Sequence, residues 1–201
     1  SDQRSDTGTG SFPCQAPTSF RPPLSVRPCG TARSMAARIS LSESGRSLAV
    51  STGAGFSMRS SAMPEPRTDP NGFGHVFGNP AGGFMSLTCF RNGSLAREAL
   101  RDQLGLDWEA FDRAGLALTG PGNQGNLMLP FYGPEITPRR DFQQPVLRGS
   151  AAFEAGEDPP ALVRALLEGQ CLNMRLHTRW MGVDVDRILL TGGASRNDGI
   201  A

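Results

Sequence analysis

An α/β domain is the fold class this sequence predicts, and three stretches near its end carry the expectation. A broad apolar stripe at helical spacing begins after Pro159-Pro160. A hydrophobic run, Ile188-Leu189-Leu190, follows it. That run enters Thr191-Gly192-Gly193 and then polar residues that read as the start of a helix. Helix, strand, glycine turn and helix in that order indicate helices packed on a sheet.

Taken from the N-terminus, the chain changes character near Met63. Residues 1–61 hold 14 Ser and only three acids, Asp2, Asp6 and Glu43, and "PCQAPTSFRPPLSVRPCGTARS" is crowded with proline. Such a segment buries too little apolar surface to offset the entropy of ordering it. The reading here is an irregular segment over residues 1–61, disordered or translated out of frame, ahead of a folded domain over 62–201. One exception, "SLAVS" (Ser47 to Ser51), reads as a strand leading into the glycines of "TGAG".

Beyond Met63, "GGFMSLTCF" (Gly82 to Phe90) is apolar, β-branched and aromatic after a turn, and predicts a strand. "SLAREALRDQLG" predicts a helix with Ser94 as N-cap, Leu95, Ala99 and Leu100 on one face and Gly105 closing it. Asp107 caps a second helix, "WEAFDRAGLAL". "TGPGNQGN" is a loop by its breakers, and "NLMLPFYGPEITP" is strand-like but interrupted by prolines. The stripe of the long helix comprises Leu162, Val163, Leu166, Leu167, Cys171, Met174, Leu176 and Trp180, and Gly182 ends it.

Totals exclude several functions. A net charge of +1, with all 20 basic residues Arg, makes no case for nucleic acid. No run approaches the roughly 20 apolar residues that span a bilayer, and "SDQRSDTGTG" has no signal-peptide pattern. Cys14, Cys29, Cys89 and Cys171 lack paired spacing, which favours ordinary thiols of a reduced, cytoplasmic protein over a metal site or disulfide framework. His75 reads as a packed turn residue and His177 as part of the long helix. No paired carboxylates, nucleophile elbow or P-loop is present.

What remains is the tail. A strand turning through Gly-Gly into a helix start exposes backbone N–H groups and removes the Cβ atoms that would block a ligand. The helix dipole adds about half a positive charge there, which favours phosphate or the sugar of a nucleotide. Asn197 can donate from its side chain. Glycine after a strand more often marks only a tight turn. Trp108 offers a stacking wall for a base, against the commoner reading of a core tryptophan.

"GHVFGNP", "MSLTCFRNGSLAREALRD", "GNQGNL", "PEITP", "RALLEGQCLNMRLH" and "ILLTGGASRND" occur in this order. Together they resemble the C-terminal domain of xylulose kinases of the FGGY carbohydrate kinase family, over about residues 62 to 201. The resemblance implies a partial C-terminal lobe of an actin-like ATPase (ribonuclease H-like) fold. It implies ATP and Mg²⁺ as cofactors, D-xylulose as the sugar and transfer of the γ-phosphoryl to its O5. A homodimer is a candidate assembly of the full-length protein. By matching positions it places Trp108 beside the base, Gly193 and Ala194 at the turn, Asn197 beyond it and Gly192 in support. Ribulose, glycerol or gluconate kinases of the same family, or a non-catalytic nucleotide-binding remnant, are the alternatives. The family's catalytic aspartate lies in a Gly-Asp-Asn stretch, and this sequence contains none. No catalytic residue and no metal ligand is therefore expected in this chain, and the isolated chain is expected to be inactive.

Overall fold

The computed structural model describes residues 47–52, 57–80, 82–183 and 187–192. In chain order these form strands β1 (Ser47–Thr52), β2 (Ser57–Met63), β3 (Gly74–Gly78) and β4 (Phe84–Phe90). Helices α1 (Ser94–Gln103) and α2 (Trp108–Asp112) follow, α2 running on as a π-helical turn over Arg113–Ala117. Then come β5 (Leu127–Leu129), β6 (Glu135–Ile136), β7 (Arg139–Arg140) and β8 (Val146–Arg148). Helices α3 (Ala151–Glu154) and α4 (Pro159–His177) and strand β9 (Arg187–Gly192) complete the order.

Five strands form one sheet in the order β3-β4-β2-β1-β9. β1 is antiparallel to β2, and β4 is antiparallel to both β2 and β3. β9 joins parallel to β1, with Ser47 opposite Arg187 and Thr52 opposite Gly192. Along β4 the buried positions are Ser86, Thr88 and Phe90, the period of two that a pleated strand imposes. The strand expected over "SLAVS" is β1 and that over "GGFMSLTCF" is β4.

The apolar core gathers around α4. Asp158 caps it by accepting from the Ala161 N–H at 3.1 Å, and Pro159 occupies the first turn, where no N–H is needed. Leu162, Val163, Leu166 and Leu167 then pack with Leu100 of α1, Phe111 of α2, Met128 of β5 and Phe153 of α3. Glycine lets two elements come close. A Cβ on Gly115 would overlap the Val163 side chain, and one on Gly169 would overlap the Met128 carbonyl.

Several expectations need correcting. Gly93, not Ser94, holds the N-cap position of α1, and no side chain caps that end. Leu95 is exposed, while Ala96 and Leu100 face the core. α4 stops at His177, and a 3-10 turn over Arg179–Met181 carries the chain to Gly182, which takes the left-handed conformation at φ 61°. Cys171 and Leu176 of the expected stripe face outward. His75 lies in strand β3 and is exposed, not packed in a turn. The strand reading of "NLMLPFYGPEITP" survives as the short β5 and β6.

Three of the motifs quoted above converge on one loop. Buried Glu135, from "PEITP", accepts from the N–H groups of Arg91 (2.7 Å) and Asn92 (2.9 Å), and from the Asn92 side chain (3.1 Å). Gln170, from "EGQ", donates to the carbonyls of Asn92 and Gly93, both at 2.8 Å, and accepts from Arg97 at 3.0 Å. Asn92 in turn accepts from the Tyr132 N–H at 2.9 Å. Buried backbone groups must be paired. This polar knot pairs those of residues 91–93, where β4 hands over to α1. The "GNQGN" loop is tied to α4 in a similar way: Asn123 donates to the Ala161 carbonyl, and Arg164 donates to Thr119.

Candidate nucleotide site

Trp108 is the first residue of α2. Asp107 caps that helix by accepting from the Ala110 N–H at 2.7 Å, as its position before an apolar run suggests. The cap fixes where the tryptophan leaves the backbone. The ring is not a core residue, for it is 43% exposed. Fully buried Phe111 meets it nearly at right angles (77°), centroid to centroid 5.6 Å. The Arg101 guanidinium, from the last turn of α1, lies 4.4 Å from the ring centroid. A large aromatic held on a frame yet open to solvent suits stacking against a flat ligand.

Gly192 closes β9 with φ 96°, a conformation that glycine adopts without penalty and other residues rarely reach. It is exposed. Because β1 and β9 are parallel and Thr52 pairs with Gly192, the two strands end together. Thr52 and Gly192, the last residues of the two strands, therefore lie side by side at one end of the sheet. In open α/β sheets ligands bind at the carboxyl ends of the strands. Gly193, Ala194 and Asn197 lie outside the described residues. Of the five expected contacts the structure thus places Trp108, at the start of α2, and Gly192, at the edge of the sheet.

Sequence reasoning missed Arg101. Its only signal was its place seven residues before Trp108, across the turn at Gly105. Among the described residues no group of three or more His, Cys, Asp or Glu could hold a metal ion. No helix among the described residues is long and apolar enough to cross a membrane.

Comparison with known proteins first gives the class. A solved xylulose kinase from Bifidobacterium adolescentis superposes with a TM-score of 0.70 at 26% identity, over 83% of this chain and 33% of that one. The fold is thus that of the sugar kinases, an actin-like ATPase lobe. Residues 48–201 match the C-terminal domain of the FGGY family of carbohydrate kinases, and the chain belongs to that family. The match takes in β1 and β2, N-terminal to the boundary read at residue 62. Xylulose kinase of Mus musculus is 41% identical over 137 residues, 63% of this chain and 24% of that protein. Xylulose kinase 2 of Arabidopsis thaliana is 38% identical over 143 residues, 63% of this chain and 25% of that protein. The chain spans about a quarter of the length of these relatives.

Proposed function

We propose that this chain is the nucleotide-facing part of an ATP-dependent sugar kinase whose reaction converts D-xylulose to D-xylulose 5-phosphate. The observation that carries the sugar is the 41% identity to a xylulose kinase, since the fold alone is shared with kinases of other substrates. Two features support the nucleotide reading. Trp108 offers an open aromatic face for adenine. Gly192 ends a strand that runs parallel to β1, and the Gly192-Gly193 pair of the sequence would leave backbone N–H groups free of Cβ atoms for the ribose and phosphates. Ala194 and Asn197 continue that contact. ATP would enter with Mg²⁺, which would neutralise phosphate charge. Phosphoryl transfer requires acceptor, metal and γ-phosphate in one arrangement. This sequence has no Gly-Asp-Asn aspartate, so the chain by itself binds nucleotide and does not turn over xylulose. The same reading sets the whole enzyme in the cytoplasm as a homodimer.

Calorimetric titration of the chain with ADP tests the proposal. Saturable binding is expected. Trp108→Leu weakens it about ten-fold, the scale of one stacked base, and Gly193→Val abolishes it by filling the approach to the turn. Absence of ADP binding, or full binding by both variants, overturns the nucleotide reading.

A further inference from the structure

Arg101 and Trp108 sit on different helices, and their contact is the one cation–π pair among the described residues. Four features bear on what it does. The guanidinium carbon lies 4.4 Å from the indole centroid, within stacking range. The same guanidinium donates through Nε to Asp102 Oδ1 at 2.8 Å and through Nη2 to the same oxygen. Asp102 is largely exposed, and an exposed ion pair holds a side chain weakly. Two bonds from the planar fork to one carboxylate oxygen and the ring face beside it together fix the guanidinium plane more tightly than either contact alone. Phe111 packs the indole at right angles from the core side. The ring is thus held by two neighbours while much of its surface stays open.

A solvent-exposed tryptophan with nothing over it exchanges rotamers, and a base that stacks on it must offset the entropy of stopping that motion. A ring stopped beforehand stacks at lower cost. We propose that Arg101 is a positioning residue of the nucleotide site: its guanidinium, anchored by Asp102, holds the Trp108 ring in the plane that receives the base. The inference rests on the reading that Trp108 meets the base. A bland role competes with it, because an arginine in the last turn of a helix also complements the helix dipole.

The 201-residue chain labelled with 5-fluorotryptophan separates these roles. Its two tryptophans give two ¹⁹F resonances, and the one lost in Trp108→Leu belongs to Trp108. In Arg101→Met the Trp108 resonance shifts and narrows before any nucleotide is added, and the Kd for ADP rises about five-fold, the scale of one cation–π contact. Arg101→Lys keeps the charge and the dipole contact, but not the flat fork on Asp102, and falls between. A Trp108 resonance and an ADP Kd both unchanged in Arg101→Met, with only thermal stability altered, leave Arg101 a helix-end charge and overturn the proposal. Tighter ADP binding in Arg101→Met also overturns it, since the guanidinium then occupies the face the base needs. If Trp108→Leu weakens ADP binding and Arg101→Met does not, this proposal alone fails. If Trp108→Leu binds ADP as the parent does, the base is not at Trp108, and the reading beneath fails with it.

Discussion

Around α4 the chain is held by apolar area, with Phe111, Phe153, Val163 and Leu166 fully enclosed. Around β3 and β4 it is held by fitted gaps and buried polar groups. Ser86 and Thr88 are fully buried in β4, and Asp69 accepts from the N–H groups of Asn71, Phe73 and Gly74. The Trp180 ring lies where a Cβ on Gly74 would stand. Thr88 Oγ1 and Trp180 Nε1 are buried there with no hydrogen-bond partner among the described residues. Apolar packing tolerates exchange of one similar side chain for another, whereas a buried polar group left without its partner loses its hydration with nothing in return. The two regions should therefore fail differently.

The largest effect is expected on the α4 side. Leu166→Ala leaves a cavity in the middle of the cluster and should cost about 3 kcal/mol, read as a lowered midpoint in urea denaturation with an unchanged slope. A cost below about 1 kcal/mol would mean that α4 does not organise the core. Gly74→Ala comes next, at about 2 kcal/mol, because its methyl group must displace the Trp180 ring. Amide exchange should show the loss mainly in β3, β4 and the turn at Arg179–Met181, with α4 still protected. Equal loss of protection in both regions would mean that they unfold as one unit.

The smallest effect belongs to Tyr132, which joins the two regions. Its ring packs on the α4 cluster, and its N–H donates to Asn92 of the polar knot. Burial pushes its phenol up to about 12. The folded value lies above the unfolded one of about 10. The contribution to stability is therefore complete below pH 10 and is lost as pH rises through 12. Tyr132 is the one tyrosine in the sequence, so absorbance near 295 nm follows it directly. Ionisation near 10 in the folded protein would place the ring in water, outside the cluster.

The same contrast explains what could be read from the sequence. α4 announced itself through spacing, Asp107 and its helix through capping, and β1 and β4 through apolar or β-branched runs. β2, "SMRSSAM", and β3, "GHVFG", carry no such pattern. They are strands because β4 pairs with both, and pairing across the chain leaves no local trace. The polar knot was invisible for the same reason: Glu135 and Gln170 lie 43 and 78 residues from the Asn92 groups they bond. At the candidate site, Trp108 and Gly192 were singled out by motif likeness, and the structure adds their positions, at the start of α2 and at the end of β9. Arg101 looked like one more solvated charge at a helix end, and only the approach of α1 to α2 puts it on the indole.

The parallel pairing of β1 with β9 has a consequence for synthesis. Ser47 waits for Arg187, roughly 140 residues later, before that side of β1 can be covered. At about 5–20 residues per second, the ribosome takes on the order of 10–30 s to deliver the partner. Throughout that interval the nascent β1–β2 hairpin presents an open flank, the kind of edge on which chains aggregate. The local, helix-rich stretch between can fold meanwhile, because its contacts close short loops. The yield of folded polypeptide should therefore depend on how long one backbone edge stays bare as well as on the strength of the core.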